Sequence, residues 1–479
     1  MIAFPRKNQL APSLPCEIVQ EIFILCLPPL ETEWGGYTDN PKHHPPAIGV
    51  PVRLSHVSRA WRSIAHATPL LWTDVCVHNP SPQRDAAVVK HVLQYSTNRP
   101  INVCMVVDGY KTGYIDCDNE MEPEYMEYLG THISELFRHA DRMRSFRMFF
   151  KHWVRLWGDS VFIPPLPRLE ELKISVYVGD RSIRRLFPLF NSPRLQKVSW
   201  LCPDYPEPLN RMGAQIKQLV CPDLACFDDD DEQTTALLRA CPNLIYLDAH
   251  HDGPPMSHSA AFVSLPALHT FRSSDIGLHA CVAPNLRHLT LECCFEVYGR
   301  IRLAQFLNQS PQLEHLSLDL SGYRTPDDLV SELAPLTPRL VALKLTLQTI
   351  PDAPSLDQIF ELFTHTAHSA LTPALPELQN FTLDIRRELY FRQKLGPLVY
   401  DPEILLRMME SRCNNCGQDA VAVLRSYTMN YEDDKSGLIN DAPLSRMAGA
   451  KERLEVLEGR GLVLGGNTFA AILGGSRLA

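Results

Sequence analysis

The 479 residues, 45% hydrophobic and 21% charged, have an ordinary globular composition. At roughly 150 residues per domain they amount to about three domain equivalents, which excludes a peptide module, wholesale disorder and a disulfide miniprotein. Forty-six basic against 55 acidic residues leave a net charge of -9, the wrong sign for wrapping nucleic acid by phosphate neutralisation.

The longest apolar run near the start, Ile22 to Leu27, is far short of the ~20 residues a bilayer requires. The 14 cysteines are scattered through hydrophobic segments, as suits a reducing compartment. The expectation is a soluble, non-secreted protein of the cytosol or nucleus, with neither nucleic acid nor membrane as a partner.

After a tail over 1–12, Ser13 is placed to cap a helix with Pro15 in its first turn. Leu14, Ile18, Ile22 and Cys26 recur every four residues along one face, which must meet something apolar. Pro28 and Pro29 stop this helix, and the loop insertion 28–51, with Gly35, Gly36, Pro41, Pro45 and Pro46, follows. A second helix from about Val52 sets Leu54, Val57, Trp61, Ile64 and Ala65 on one face. Thr68 and Pro69 then open a short turn that carries Leu71 and Trp72 into a strand at Asp74 to Val77. A helical module over 13–77 has too little interior for all of these side chains. Some of Leu14, Pro15, Ile18, Ile22, Leu54, Val57 and Trp61 should face a partner or the next domain.

Leu14-Pro15, Glu17-Ile18, Ile22-Phe23, Leu54, Val57-Ser58-Arg59, Trp61-Arg62, Ile64-Ala65, Pro69 and Leu71-Trp72 fall in an order that resembles an F-box, in the form found in large fungal F-box families. The long loop between the two halves departs from the usual pattern, although loop-closure entropy grows slowly enough to tolerate it. The resemblance implies docking: F-box modules insert their first helices into a Skp-family adaptor, which joins a cullin-based ubiquitin ligase. It assigns adaptor binding to Leu14, Pro15, Ile18, Ile22, Leu54, Val57 and Trp61.

Residues 78–160 are poorly patterned and read as a connecting stretch or first irregular repeats. Over 161–466 one phrase recurs, a proline followed by Leu-x-x-Leu-x-Leu or a close variant, beginning at Pro167, Pro193, Pro242, Pro266, Pro284, Pro311, Pro338 and Pro376, with a degenerate copy at Pro222. The phrase resembles irregular leucine-rich repeats. Each unit contributes a strand whose alternate residues enter a common core, and a helical return, as at Arg181 to Phe190, Gln233 to Ala240, Ile301 to Gln309 and Leu356 to His365. The expected fold is α/β: an N-terminal three-helix module followed by a repeat solenoid with a parallel sheet. Further on, Pro402 to Glu410 and Ser445 to Glu458 read as helices, Ala420 to Thr428 and Leu462 to Leu464 as strands, and 467–479 as a frayed tail.

Between the core leucines, alternate residues must point to the exposed face of the sheet. These are Lys173, Ser175, Tyr177, Asp248, His250, Arg272, Ser274, Thr290, Glu292, Ser317, Asp319, Lys344, Thr346, Thr382 and Asp384. Their mixed charges and hydroxyls favour a protein ligand, with Lys173, Tyr177, Asp248, His250, Arg272, Glu292, Asp319, Lys344 and Asp384 as candidate substrate contacts.

Cys413-Asn-Asn-Cys416 has metal-ligand spacing but lacks a second ligand pair nearby, and Asp228 to Glu232 reads as a helix cap rather than a cation site. No phosphate loop, dinucleotide fingerprint, zinc-protease helix or serine elbow occurs in the sequence. The expectation is therefore a protein without catalysis, metal or cofactor of its own: an adaptor joining a Skp-family protein, and through it a cullin, to a protein substrate. The alternatives are a binding scaffold whose helices merely cap the repeats, and a hydrolase with a dispersed triad.

Overall fold

The computed structural model describes residues 14–27, 49–78, 85–107, 123–150, 162–176, 181–202, 209–221, 231–249, 263–274, 281–292, 297–320, 332–349, 356–364, 375–387, 400–413, 422–432 and 449–473. The chain divides into two units, Met1–Ile216 and Lys217–Ala479.

The recurring proline phrase is a tight turn. In each described copy the leucine amide bonds to the carbonyl three residues back, across the proline, as in Leu169 to Leu166 at 3.1 Å, Leu244 to Cys241 at 3.2 Å, Leu268 to Leu265 at 3.1 Å, Leu286 to Ala283 at 3.1 Å and Leu340 to Thr337 at 3.1 Å. Proline at the second position of a β-turn has its φ pre-set and gives up no amide that the turn needs. Both ends of the turn point inward, since Leu166, Leu169, Cys241, Leu244, Leu265 and Leu268 are all buried. Two turns also reach back to the preceding copy: Ser192 Oγ donates to the Leu169 carbonyl at 2.8 Å and Ser310 Oγ to that of Ala283 at 3.1 Å. Such bonds satisfy buried carbonyls that would otherwise be orphaned.

The first unit begins with helices α1 (Cys16–Leu25), α2 (Gly49–Val57) and α3 (Arg59–His66) and a 3-10 turn, Pro69–Trp72. The single helix expected across Leu54 to Ala65 is broken at Ser58, which is extended and accepts a 3.1 Å bond from the Trp61 amide as an N-cap. Arg62 Nε donates to the Ser55 carbonyl at 3.0 Å and holds the two helices together across the break. The expected cap at Ser13 lies outside the described residues, and Pro15 stands at the N-cap position without a side-chain bond.

Five strands follow in this unit, β1 (Asp74–His78), β2 (Ile101–Val107), β3 (Met143–Phe150), β4 (Glu171–Val176) and β5 (Lys197–Leu201), each parallel to the next. The helices Asp85–Tyr95 and Pro123–Phe137 return the chain between the first three. The stretch 78–160 thus holds two strands that lack the proline phrase. Their signal is the apolar runs INVCMVV and MRSFRMFF, rich in β-branched, aromatic and other bulky residues. Val75, Val103, Phe146, Leu172 and Val198 form one inward row, and Val77, Met105, Met148, Ile174 and Trp200 a second, all buried.

In the second unit nine strands pair in parallel: β6 (Gln218–Val220), β7 (Tyr246–Ala249), β9 (Thr270–Ser274), β11 (His288–Glu292), β12 (His315–Asp319), β13 (Ala342–Thr349), β14 (Asn380–Arg387), β15 (Ser426–Glu432) and β16 (Val463–Gly465). A small parallel pair, β8 (Val263–Ser264) and β10 (Cys281–Val282), stands apart from them. The register stacks Leu247, Phe271, Leu289, Leu316, Leu343, Phe381, Tyr427 and Leu464 into one buried row. Each fully buried Leu or Phe contributes roughly 1.5–3 kcal/mol. Helices Asp231–Ala240, Val297–Asn308, Asp357–Phe363, Pro402–Cys413 and Ala450–Gly459 return the chain. The degenerate copy at Pro222 lies outside the described residues; β6 precedes it. The fold is thus α/β, with a parallel sheet of five strands in the first unit and of nine in the second among the described residues.

Two C-terminal expectations are corrected. The strand expected over Ala420 to Thr428 runs instead from Ser426 to Glu432. The tail expected from 467 is a helix over Asn467–Leu473, because Phe469 is sealed against Tyr427 with ring centroids 5.5 Å apart. Gly466 joins it to β16 with φ of 94°, and a Cβ there would stand against the Met429 carbonyl oxygen and Asn430 Oδ1. Left-handed backbone and crowding together should make Gly466→Ala cost about 2–4 kcal/mol. The check is equilibrium unfolding with tyrosine fluorescence; a change under about 0.5 kcal/mol, the size of an ordinary surface substitution, counts against this geometry.

Candidate functional site

The described residues hold two candidate surfaces. The first is the exposed stripe of α1. Of this helix only Phe23 is fully buried, its ring 4.9 Å from that of half-buried Trp61. The Phe23 contact decides which face turns inward, and it turns the repeating stripe out: Leu14 is 56% exposed, Ile18 47%, Ile22 42% and Leu25 82%. At 3.6 residues per turn Ile18, Ile22 and Leu25 lie in one line, and Leu14 stands just before the helix. Leu25 was not singled out by the four-residue repeat, yet its spacing of seven from Ile18 places it there. Pro15 is exposed, Val57 at the end of α2 is 61% exposed, and Leu54 is half-buried.

The stripe is presented by a fixed base. Trp72 is fully buried and its Nε1 donates to the Ala65 carbonyl at 2.8 Å, tying α3 to the turn that leads into β1. Thr68 Oγ1 donates to the Ile64 carbonyl at 2.7 Å and closes the end of α3.

The second surface is the outward side of the strands. In the second unit Asp248, Arg272, Thr290, Ser317, Lys344 and Thr382 align in one row through successive pairs, while Ser274 pairs with Glu292, and Asp319 with Thr346 and then Asp384. Lys173 takes an outward position on β4 of the first unit, its Nζ 5.5 Å from the centre of the Phe149 ring. Tyr177 and His250 lie outside the described residues.

Many of these charges answer one another. Arg272 donates through Nε to Glu292 at 2.9 Å and stands 3.8 Å from Asp248 Oδ2. Burial alone would lower the Arg272 pKa, but the Glu292 hydrogen bond and the Asp248 and Glu292 carboxylates outweigh it and raise it. Lys344 meets Asp384 at 2.7 Å, and Asn430 donates to the same carboxylate at 2.8 Å. Burial, then Arg147, lower the Lys173 pKa. Asp248 and Thr346 are themselves buried, against the expectation that these outward positions are exposed; the more exposed Arg272–Glu292 pair adds only ~0–1 kcal/mol to stability and holds side chains in set orientations. Neighbouring features that sequence reasoning missed are Asn430 and the stacked rings of His288 and His315, 4.3 Å apart, which carry no linear motif.

Cys413 is buried with Sγ near the Leu424 carbonyl, and Cys416 lies outside the described residues, as do Asp228, Asp229 and Asp230. Among the described residues no group of three or more His, Cys, Asp or Glu side chains is arranged to hold a metal ion. Nor is any helix among them long and apolar enough to cross a membrane.

No protein-family model matches the chain, and no curated protein matches it. Among solved structures it is similar to a crystal structure of a protein from Bacteroides fragilis, at 14% identity and a TM-score of 0.29, covering 47% of this chain and 67% of that one. That likeness is too distant to bear on fold or function.

Proposed function

We propose that the protein is a non-catalytic adaptor: an F-box-like module that docks on a Skp-family protein, and through it a cullin, followed by a leucine-rich-repeat-like solenoid whose outward rows hold a protein substrate. One observation carries the reading. The line Ile18, Ile22 and Leu25 on α1, with Leu14 just before it, stands in solvent on a firmly packed base, and apolar side chains so displayed are matched to a hydrophobic partner surface. Ordered matches from Leu14-Pro15 to Leu71-Trp72 name the partner class. Ubiquitin-transfer chemistry would reside in the partners, with the repeats raising the local concentration of substrate lysines.

The test is titration calorimetry of the full chain with a purified Skp-family adaptor. The unsubstituted chain is expected to bind, and Leu14→Asp combined with Ile18→Asp to weaken binding by about 100-fold, or roughly 2.7 kcal/mol. Both positions are exposed, so the fold should survive, which circular dichroism checks. Absence of any complex with the unsubstituted chain rejects the reading.

The burial of Phe23, Ala65 and Trp72 favours a second reading, in which the helices only cap the repeats. It expects the double substitution to leave every partner interaction unchanged.

A further inference from the structure

The outward row of the first unit that includes Lys173 begins with two cysteines. Cys76 on β1 is the register partner of Cys104 on β2, Cys104 of Arg147 on β3, and Arg147 of Lys173 on β4. Val75, Val77, Val103 and Met105 face the core, so alternation turns both thiols to the outer side, where each is half-buried. The Cys104 thiol is hydrogen-bonded to Cys76, and this bond, then burial, hold its pKa well above the usual thiol value. Parallel neighbours lie about 4.8 Å apart, inside the roughly 4.4–6.8 Å of Cα separation that a disulfide spans. Register pairs also project side by side, and a small local twist that closes the Cβ atoms to the roughly 3.5–4.5 Å of a disulfide is all that joining the two sulfurs requires.

We infer that Cys76 and Cys104 form a dithiol site that is converted to an intramolecular disulfide by exchange with a small anionic disulfide such as oxidised glutathione. Arg147, ion-paired with Glu171 at 2.8 Å, and Lys173, one and two strands beyond Cys104, oppose part of its rise in pKa and favour a carboxylate-bearing reagent. Cys76, as thiolate with the Cys104 S–H donating to it, attacks one sulfur of the reagent. The reagent's S–S bond breaks, one glutathione thiolate leaves, and a mixed disulfide forms on Cys76. Cys104 gives up its proton to the departed thiolate and attacks the Cys76 sulfur, releasing the second glutathione. Two protein thiols are oxidised and one disulfide is reduced to two thiols, so atoms and electrons balance.

Other thiols in the described residues are differently placed. Cys202, Cys221, Cys241, Cys281 and Cys413 are buried, and burial pushes Cys241 and Cys281 up to about 12. Cys16 and Cys26 are exposed on and just beyond α1.

The full-length, unsubstituted chain is equilibrated with oxidised glutathione, its remaining thiols are blocked, and tryptic peptides are weighed. Arg84 and Lys90 lie between the two cysteines, so the cross-link joins separate peptides. The expected result is a Cys76–Cys104 linked pair, without glutathione on either residue, that dithiothreitol releases. Cys104→Ser should retain one glutathionyl group on Cys76. A stable glutathione adduct on either cysteine of the unsubstituted chain, or both residues recovered as blocked thiols, overturns the inference.

Discussion

Arg412→Ala is expected to destabilise the second unit by about 3–5 kcal/mol, as follows from the loss of two hydrogen bonds from a buried cation at roughly 1.5–3 kcal/mol each. Arg412 sits in the last turn of the helix Pro402–Cys413 and is 1% exposed. Its Nε donates to the Phe363 carbonyl at 2.8 Å and its Nη1 to the Leu375 carbonyl at 3.0 Å. Phe363 is the final residue of the preceding return helix, whose terminal carbonyls have no partner within that helix. Leu375 adopts a left-handed backbone with φ of 53°, in the turn that starts the Leu378 phrase. One guanidinium therefore closes a helix end and pins the next turn. Burial lowers its pKa to about 10, far enough above neutrality for the cation to persist at pH 7.

Alanine would leave the Phe363 carbonyl without this donor, leave the Leu375 carbonyl with the Leu378 amide at 3.2 Å, and open a void where the guanidinium was buried. Lysine keeps the charge but lacks the planar fork, so Arg412→Lys should recover less than half of the loss. Urea unfolding of the three proteins measures the difference. An alanine variant within about 1 kcal/mol of the parent would show that water or neighbouring groups replace the guanidinium.

Trp72→Ala should cost the first unit a similar amount, about 3–5 kcal/mol, as large aromatic truncations in a core do. Trp72 joins three elements: its indole donates to the Ala65 carbonyl on α3, and its ring lies 5.4 Å from His91 and 5.3 Å from Tyr95 on the helix Asp85–Tyr95. Trp72→Phe separates volume from hydrogen bonding. It keeps most of the ring but removes one of two donors to the Ala65 carbonyl, which still accepts from the Thr68 amide at 3.2 Å, a loss of about 0.5–1.5 kcal/mol. Thermal unfolding followed by far-ultraviolet circular dichroism should rank parent, phenylalanine and alanine in that order. A phenylalanine variant as unstable as alanine would mean that the indole N–H, rather than the filled space, anchors the module.

The repeat strands were legible because their cause is local. Proline sets the turn, the leucine three residues after its first residue closes it, and alternation assigns the outward row from Asp248 to Thr382 without reference to distant residues. β2 and β3 begin without that turn, so INVCMVV and MRSFRMFF offered only composition. The α1 stripe was read from spacing, but its orientation depended on Phe23 finding Trp61 more than thirty residues away, a pairing that no period encodes. The terminal helix was missed for the same reason: Phe469 has its partner in Tyr427. The Cys76–Cys104 register likewise spans a strand, a helix and a return.

Because every proline turn sets the start of its strand afresh, misalignment in one unit is not handed to the next. Successive prolines can be as close as Pro266 and Pro284 or as distant as Pro338 and Pro376 while the strands after them stay in step. Deleting or duplicating a whole segment, cut from one proline to the next, should therefore leave the flanking segments in phase, and the length of the protein becomes a quantity that recombination can adjust in discrete steps.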